Sequence, residues 1–192
     1  DKNRPFVMIG GGGHSKIILD ILALQYIRPE YYIDDVDKPQ LNEMGLRRIT
    51  ADTLPAQAQG TISFGGITTE MLSKRMNIQQ QLKARGMVFP PLAHPRAIIS
   101  SGAIIHEGAQ ICAGAIINAG AQIGAGSIIN SGAIIEHDVA IGEGCHIAPG
   151  AIVLGDAKVG EGSFIGSAAV IVQGCHVTAH SFVRAMSCAS SS

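Results

Sequence analysis

Aromatic residues are scarce in this 192-residue chain: they make up 4% of it, and there is no Trp. Hydrophobic residues nevertheless reach 46%, and there are 24 glycines. A core with few large rings has to be filled mainly by Ile, Val and Ala side chains. The composition therefore predicts a regular, narrow structure, and the length suffices for one or two domains with their own cores.

Other absences exclude classes of partner and site. The net charge is −1 and no block of basic residues occurs, so we expect no nucleic acid partner. No apolar run approaches the roughly 18 residues of a membrane span, and the first residues lack the layout of a signal peptide. We therefore expect no membrane partner and a cytoplasmic location. The cysteines form no C-x-x-C pair, which argues against a zinc knuckle or a redox motif and favours small buried residues in a reducing compartment.

A six-residue repeat runs without interruption through residues 97–186. With the frame set at Ala97, the third position is Ile or Val in all fifteen hexads, and the first position is a small residue or, once, Val139. This pattern predicts a parallel β-helix. Three hexads close one triangular coil, so residues eighteen apart stack about 4.8 Å apart along the axis. The third position then fills the interior, and glycine at the sixth position serves the tight corners.

An α/β pattern precedes the repeat. Apolar strands are expected at 6–9, 31–33 and 61–64, and helices at 14–27 and 68–85, with a glycine loop at 10–13. Strand, glycine loop, helix and strand form a βαβ unit of a small parallel sheet. The proline-rich stretch 88–96 reads as an extended connector. We therefore predict two domains, a Rossmann-like α/β domain at 1–90 and a β-helix of about five coils at 91–192.

The repeat is broken most conspicuously at His137 and Asp138. Glycine gives way at the sixth position to Asp138, Asp156, Ala168, His180 and Met186. The later exceptions are consistent with coils that have looser turns. Asp138 differs because Glu136 and His137 precede it. A neutral imidazole is a suitable general base near neutral pH, and an adjacent carboxylate raises its basicity and fixes its tautomer. The alternative is a solvated polar corner without chemistry.

His146 follows His137 by nine residues, half of one coil. Within one chain the two imidazoles must therefore lie on different sides of the β-helix. If both serve one site, they come from different subunits, which predicts an oligomer, most simply a three-fold one. Taken alone, His146 is equally well interpreted as a surface residue.

The glycine loop has two interpretations. Glycines after a strand let backbone N–H groups approach a phosphate at a helix N-terminus. Gly10, Gly12 and Ser15 follow G-x-G-x-x-S, so the third glycine of a nicotinamide-binding motif is missing. Asp34 and Asp35, at the end of the second strand, suit ribose hydroxyls or a base N–H. The alternative is a tight structural turn.

Four segments together resemble one family. They are I-G-G-G-G-H-S-K (9–16), I-D-D (33–35), N-S-G-A-I-I-E-H-D (130–138) and G-C-H-I-A-P-G (144–150). The hexapeptide tract resembles the left-handed β-helix acyltransferases. Combined with the glycine loop, it resembles the sialic acid O-acetyltransferase (NeuD) type family, which includes bacterial N-acetyltransferases of nucleotide-linked 4-amino sugars.

The resemblance implies a homotrimeric enzyme of surface-glycan biosynthesis that uses acetyl-CoA as co-substrate. His137 matches the family's general base and Asp138 the acidic neighbour that supports it. His146 matches a histidine at the thioester of acetyl-CoA. Weaker matches place further residues along the pantetheine groove: Gly155, Ser167 and Ala185. The remaining matches concern the nucleotide-sugar substrate: Gly12, Gly13, His14, Asp34, Asp35, Gly65, Gly66 and Asn130.

Three functions compete at this point. Acetyl transfer to an amino sugar on a nucleotide is favoured over O-acetylation of a sialic acid, because a phosphate cradle would have no ligand in a free sialic acid. A zinc enzyme of the γ-carbonic-anhydrase kind would need three histidines around one metal. His106 and His176 lie four coils, or about 19 Å, apart, so we expect no metal. An ice-binding β-helix needs rows of Thr, and Thr178 is the only Thr in the repeat tract.

Overall fold

The computed structural model describes residues 4–190, which divide into two compact units. One comprises the residues up to Gly65 together with Asn77–Pro90, and the other comprises Gly66–Met76 together with the residues from Pro91 onward. Helix α3 (Thr69–Ala84) therefore contributes its first half to the second unit and its second half to the first. The inclusion of residues 66–76 in the β-helical unit has no counterpart in the repeat pattern.

The first unit is a parallel sheet of four strands with the order β3-β2-β1-β4. Its strands are β1 (Phe6–Ile9), β2 (Tyr31–Ile33), β3 (Arg47–Arg48) and β4 (Gln59–Ile62). Helix α1 (Gly13–Leu24) connects β1 and β2, as the glycine loop predicts, while α2 (Pro39–Glu43) and a 3-10 turn at Ala51–Thr53 follow β2. The third predicted strand begins two residues earlier than expected. The sequence did not predict α2 or β3, because each is too short to show a period.

The second unit is a left-handed parallel β-helix, which confirms the predicted fold class. Each hexad forms a two-residue strand, and strands eighteen residues apart pair in parallel, as Ile134 does with Ile152. The strands are β5 (Leu92–Ala93), β6 (Ile98–Ile99), β7 (Ile104–Ile105), β8 (Gln110–Ile111), β9 (Ile116–Ile117), β10 (Gln122–Ile123), β11 (Ile128–Ile129), β12 (Ile134–Ile135), β13 (Ala140–Ile141), β14 (His146–Ile147), β15 (Ile152–Val153), β16 (Lys158–Val159), β17 (Phe164–Ile165), β18 (Val170–Ile171), β19 (His176–Val177), β20 (Phe182–Val183) and β21 (Cys188–Ala189).

These strands form three sheets, which we name in chain order. Face 1 contains β6, β9, β12, β15, β18 and β21; face 2 contains β7, β10, β13, β16 and β19; face 3 contains β5, β8, β11, β14, β17 and β20. We call the turns that follow them corners 1, 2 and 3. Because the chain passes from face 3 through corner 3 to face 1, corners 3 and 1 flank face 1. Strand β5 lies within the predicted connector and extends face 3 by one strand.

The interior of the β-helix is one column of aliphatic side chains. Ile and Val at the third position are buried from Ile111 to Val177, and the small residues at the first position pack between them. Thus Ile135 and Ile147 are completely buried, while the second position points outward. The scarcity of aromatic residues follows from this geometry, since a coil of eighteen residues leaves no room for rings inside.

The corners share one backbone conformation whether or not glycine is present. Most sixth-position glycines have a positive φ, and the five replacements adopt the same left-handed region, with φ between 54° at Ala168 and 61° at Asp138. The interpretation of the late exceptions as looser turns is therefore wrong: those corners are as tight as the others. A side chain in this region costs free energy that glycine avoids.

Candidate active site

His137 and Asp138 form a hydrogen-bonded pair at corner 1. They follow β12, and the two-residue strand and the left-handed turn at Asp138 place both side chains outside the β-helix, where each is more than half exposed. The distance from His137 Nδ1 to Asp138 Oδ2 is 3.0 Å. A carboxylate only accepts hydrogen bonds, so Nδ1 carries the proton and donates it, which leaves Nε2 with its lone pair. The pair therefore presents Nε2 as a base.

The electrostatic surroundings strengthen this base. The pKa of His137 is raised above its ordinary value, chiefly by the hydrogen bond to Asp138. Desolvation is the next largest effect and lowers the pKa, while the negative charges of Asp138, Asp156 and Glu136 each raise it further. Glu136 is itself oriented by Asn118, whose Nδ2 donates to Glu136 Oε2 at 2.9 Å. The sequence reasoning missed Asn118, although its eighteen-residue distance from Glu136 could have indicated the contact.

His146 lies in β14 on face 3 and is buried, in contrast to His137. Its Nδ1 donates to the carbonyl oxygen of Gly66 at 2.6 Å, and its Nε2 accepts from Asn130 Nδ2 at 3.0 Å. The ring also meets Phe164 edge-on, with 5.2 Å between centroids. Both nitrogens are therefore engaged within the chain. The structure brings three predicted site residues together, but as a buried network that fixes Gly66 on face 3.

The predicted coenzyme residues lie on two different corners. Gly155 is at corner 1, one coil after His137, and is buried. Ser167 and Ala185 are exposed at corner 3, the corner that also carries Asn130. Within one chain these two groups flank face 1 on opposite sides. His137 and His146 are likewise on different sides, as their spacing predicts. The assignment of these residues to the coenzyme stays a prediction.

The glycine loop leads into α1, and Gly12 is its N-cap. No side chain caps this end of the helix. Gly12 and Gly13 are exposed, and a Cβ added to either would meet no atom within 4 Å. By contrast, a Cβ at Gly10 or Gly11 would collide with Phe64 or Lys38. Packing thus explains the first two glycines but not the next two.

Asp34 holds the glycine loop in place. Its Oδ2 accepts from the amide of Gly11 at 2.8 Å, and its Oδ1 accepts from the amide of Val36 at 3.0 Å. Burial works against ionisation, but these two hydrogen bonds and the Lys38 ammonium, 3.4 Å away, lower the pKa of the Asp34 carboxyl below its ordinary value. Lys38 was not predicted as a site residue, because it caps α2, a helix that is too short to be recognised in the sequence.

The other predicted substrate residues of the first unit lie near this loop. Asp35 is exposed, and its carbonyl accepts from Arg48. Gly65 lies beside His14: a Cβ on Gly65 would be 3.7 Å from that of His14. The carboxyl ends of β1, β2 and β4 therefore bring the loop, Asp34, Asp35 and Gly65 to one edge of the sheet, where ligands of such sheets bind.

A groove of about 300 Å³ runs along face 2 and is lined by His106, Lys158 and His176 among others, but not by His137. The glycines that line this groove have a structural reason, since a Cβ at Gly124 would collide with the backbone of Gly142 in the next coil.

Within residues 4–190, no three His, Cys, Asp or Glu side chains converge as a metal site would need. No helix in this range is both long and apolar enough to serve as a membrane span.

Comparison with known proteins identifies relatives of this architecture. Residues 120–155 match the model of the bacterial transferase hexapeptide family (six repeats). Sequence comparison with curated proteins gives no significant match. Among solved structures, the acetyltransferase domain of PglB from Neisseria gonorrhoeae, in complex with acetyl coenzyme A, is 31% identical over 95% of this chain and 89% of that one, with a TM-score of 0.85.

Two other solved structures are similar over nearly the whole chain. A histidine-to-asparagine variant of perosamine N-acetyltransferase from Caulobacter crescentus, in complex with CoA and GDP-perosamine, is 26% identical over 97% of this chain and 89% of that one, with a TM-score of 0.82. WeeI from Acinetobacter baumannii is 18% identical over 98% and 97%, with a TM-score of 0.74, a likeness that concerns the fold alone.

Proposed function

The chain belongs to the bacterial hexapeptide-repeat transferases, and from this premise we propose that it transfers the acetyl group of acetyl-CoA to the amino group of a nucleotide-linked amino sugar. The observation that carries the proposal is the exposed His137–Asp138 pair, whose Nε2 is left as a proton acceptor. A PglB domain with acetyl coenzyme A and a perosamine N-acetyltransferase with CoA and GDP-perosamine support the two substrates.

The reaction requires one base. The sugar amine attacks the carbonyl carbon of the thioester, a C–N bond forms, and His137 Nε2 takes the proton that the nitrogen loses. The tetrahedral intermediate collapses, the C–S bond breaks, and the leaving thiolate takes the proton from the imidazolium. Asp138 stabilises the imidazolium between these two steps. The products are the acetamido sugar nucleotide and CoA, and His137 returns to its neutral form.

The glycine loop supplies a place for the nucleotide. Gly12 and Gly13 leave open space at the start of α1, and the backbone N–H groups there lack a side-chain cap. The positive end of the helix dipole favours a phosphate at such a position. Asp34 keeps the loop in shape, while Asp35, His14 and Gly65 line the same edge of the sheet. We assign the diphosphate of the nucleotide sugar to this loop.

The three faces of the β-helix differ in a way that supports a trimer. Face 3 is covered in part by residues 66–76, through a cluster of Leu72 with Ala148 and Phe164. Face 2 presents polar side chains such as Gln122 and Lys158. Face 1 instead presents a ladder of apolar residues that are half-buried or exposed in the single chain: Ile98, Ile116, Ile134, Ile152 and Val170. We propose that this face-1 ladder lies on the three-fold axis of a homotrimer.

This arrangement would complete the site. If face 1 of each chain turns to the axis, corner 1 of one chain approaches corner 3 of the next. His137 and Gly155 of one protomer would then share a cleft with Asn130, Ser167 and Ala185 of its neighbour. Acetyl-CoA is assigned to this cleft, with the thioester near His137. The buried position of His146 assigns it to support of Asn130 in that neighbour rather than to the thioester itself.

The test is turnover of acetyl-CoA with a panel of acceptors. We expect thiol release and an acetamido product with a nucleotide-linked amino sugar such as GDP-perosamine or a UDP-linked analogue. Acetylation of free sialic acid alone would replace the proposal with O-acetylation. Stoichiometric zinc, together with the absence of any acetyl transfer, would overturn it in favour of a metal enzyme.

A further inference from the structure

Gly155 is an exception of a different kind from those at the sixth position. The fifth position of the hexad is Ser, Glu, Ala, His, Pro or Gln everywhere else, and Gly155 is its only glycine among the fifteen hexads. It also lies eighteen residues after His137, directly above it in corner 1. The single glycine of this column therefore coincides with the coil that covers the imidazole.

Backbone conformation does not explain this glycine. Gly155 does not have a positive φ, so any amino acid could adopt its backbone conformation. Close approach of successive coils does not explain it either. A Cβ at Gly142, Gly160 or Gly166 would collide with the backbone of the next coil, whereas the three atoms nearest to a Cβ at Gly155 all belong to the His137 ring.

The ring occupies the space that a side chain at residue 155 would need. A Cβ there would lie 2.7 Å from both Cε1 and Nε2 of His137 and 3.3 Å from its Nδ1, well inside contact distance. The carboxylate of Asp138 lies in the same way over the preceding coil, where a Cβ at Gly120 would overlap Oδ1. The pair is thus seated between two glycines, one in the coil before and one in the coil after.

We propose that Gly155 is a positioning residue for the catalytic base, because its missing side chain lets the imidazole lie against the coil with Nδ1 on Asp138 and Nε2 in a fixed direction. The inference rests on the proposed function for its consequence in catalysis. It gives Gly155 a role distinct from a contact with the pantetheine arm. The ring is exposed and moves at little cost, so a methyl group at residue 155 would displace the base without unfolding the coil.

The test is Gly155→Ala, measured by kinetics and by NMR titration of His137. We expect kcat to fall by about 10- to 100-fold, since a displacement of the order of 1 Å suffices for such losses, with an unchanged KM for acetyl-CoA. The imidazole pKa should fall towards its ordinary value as the bond to Asp138 is lost. The control is Gln173→Ala, at the fifth position of corner 1 in the next coil. Its kinetics and its His137 titration should match those of the unmodified protein.

A double-mutant cycle with His137→Ala separates the positioning role from other effects. In the His137→Ala background there is no ring to displace, so Gly155→Ala should be tolerated and should slightly raise the denaturation midpoint. If Gly155→Ala alone does not fold but the double variant does, the clash with the ring is demonstrated directly.

Two results would overturn the inference. One is a Gly155→Ala protein with unchanged kcat and an unchanged His137 titration. The other is a raised KM for acetyl-CoA with that titration unchanged, which would assign Gly155 to the coenzyme. The titration and the denaturation cycle need no turnover, so they decide the question even if the unmodified protein transfers no acetyl group.

Discussion

At the residue scale, the proposed chemistry depends on one imidazole and the groups that orient it. The basicity of His137 comes first from its hydrogen bond to Asp138, and the surrounding negative charges add to it, while desolvation works against it. The hydrogen bond at Nδ1 fixes which nitrogen receives the proton. A base with a raised pKa at an accessible corner is suited to take a proton from an amine held in front of it.

Replacement of the base should remove most of the activity. We expect His137→Ala to lower kcat/KM by about 10²- to 10⁴-fold, the usual contribution of general base catalysis, with an unchanged circular dichroism spectrum. His180→Ala is a matched control, because His180 is also exposed at a left-handed corner and lies 3.8 Å from a carboxylate, that of Glu161. Equal losses in the two variants would contradict the assignment of His137.

The pH dependence of kcat/KM should reveal the effect of Asp138 on His137. His137 accepts a proton only in its neutral form, so kcat/KM should rise as the pH increases through the pKa of the free enzyme's imidazole. Asp138 raises that pKa. Asp138→Asn should therefore move the acidic limb of the profile to lower pH and reduce the plateau. Asn is suitable here because it tolerates the positive φ of residue 138.

The more distant carboxylate provides a graded control for this profile. The Asp156 side chain affects the pKa of His137 only through its charge, so Asp156→Asn should move the limb in the same direction but by less. A profile that stays in place in the Asp138 variant would show that another group limits the rate at acidic pH.

At the element scale, the hexad determines both the strand and the corner. A third-position aliphatic side chain fills the interior, and the sixth position must adopt a left-handed conformation even where it is not glycine. Ala168 is one such position, with φ at 54°. Such positions carry conformational strain that glycine would relieve.

Ala168→Gly should therefore stabilise the protein, against the usual effect of glycine. We expect the free energy of unfolding to rise by about 1 kcal/mol. The left-handed region costs an L-residue about 1–2 kcal/mol, and the greater conformational entropy of glycine in the unfolded chain offsets part of this gain. Ala119→Gly, at a fifth position without a positive φ, is the matched control and should destabilise. The measurement is urea denaturation; a loss in both variants would refute the strain argument.

The extent of prediction also differs by element. The period of six was sufficient to predict the β-helix, its inward residues and its corners, because each coil repeats the same local constraints. The buried pairing of His146 with the Gly66 carbonyl, 80 residues away in sequence, has no such signal. Lys38 was missed because it caps α2, a helix too short to recognise. Asn118 does have such a signal, since it lies one coil of eighteen residues before Glu136.

The whole molecule is organised by the difference between its faces. The face-1 ladder is apolar and half-buried or exposed in the single chain, with Ile98 65% exposed, and it lies between the corner of His137 and the corner of Asn130. Burial of such a surface against two further copies is favoured by the hydrophobic effect. The trimer and the composite cleft are thus one proposal, since the same contact that covers face 1 completes the site.

A charge on the ladder should dissociate the assembly. We expect Ile134→Lys to give monomers in analytical ultracentrifugation and to abolish transfer, because a lysine at the axis would be buried opposite its own copies. The exposed Gln122 holds the equivalent position on face 2, so Gln122→Lys should remain trimeric and active. An active, monomeric Ile134→Lys protein would contradict a site shared between protomers.

Complementation in mixed trimers tests the central claim most directly, namely that the base of one protomer acts in a cleft completed by the next. His137→Ala removes the base, and Ser167→Trp blocks the exposed corner of the neighbouring protomer; each variant alone should be inactive. Trimers assembled from an equal mixture should recover about a quarter of the unmodified activity, because each site draws the two corners from different chains. Activity no higher than that of the separate variants would contradict the shared site.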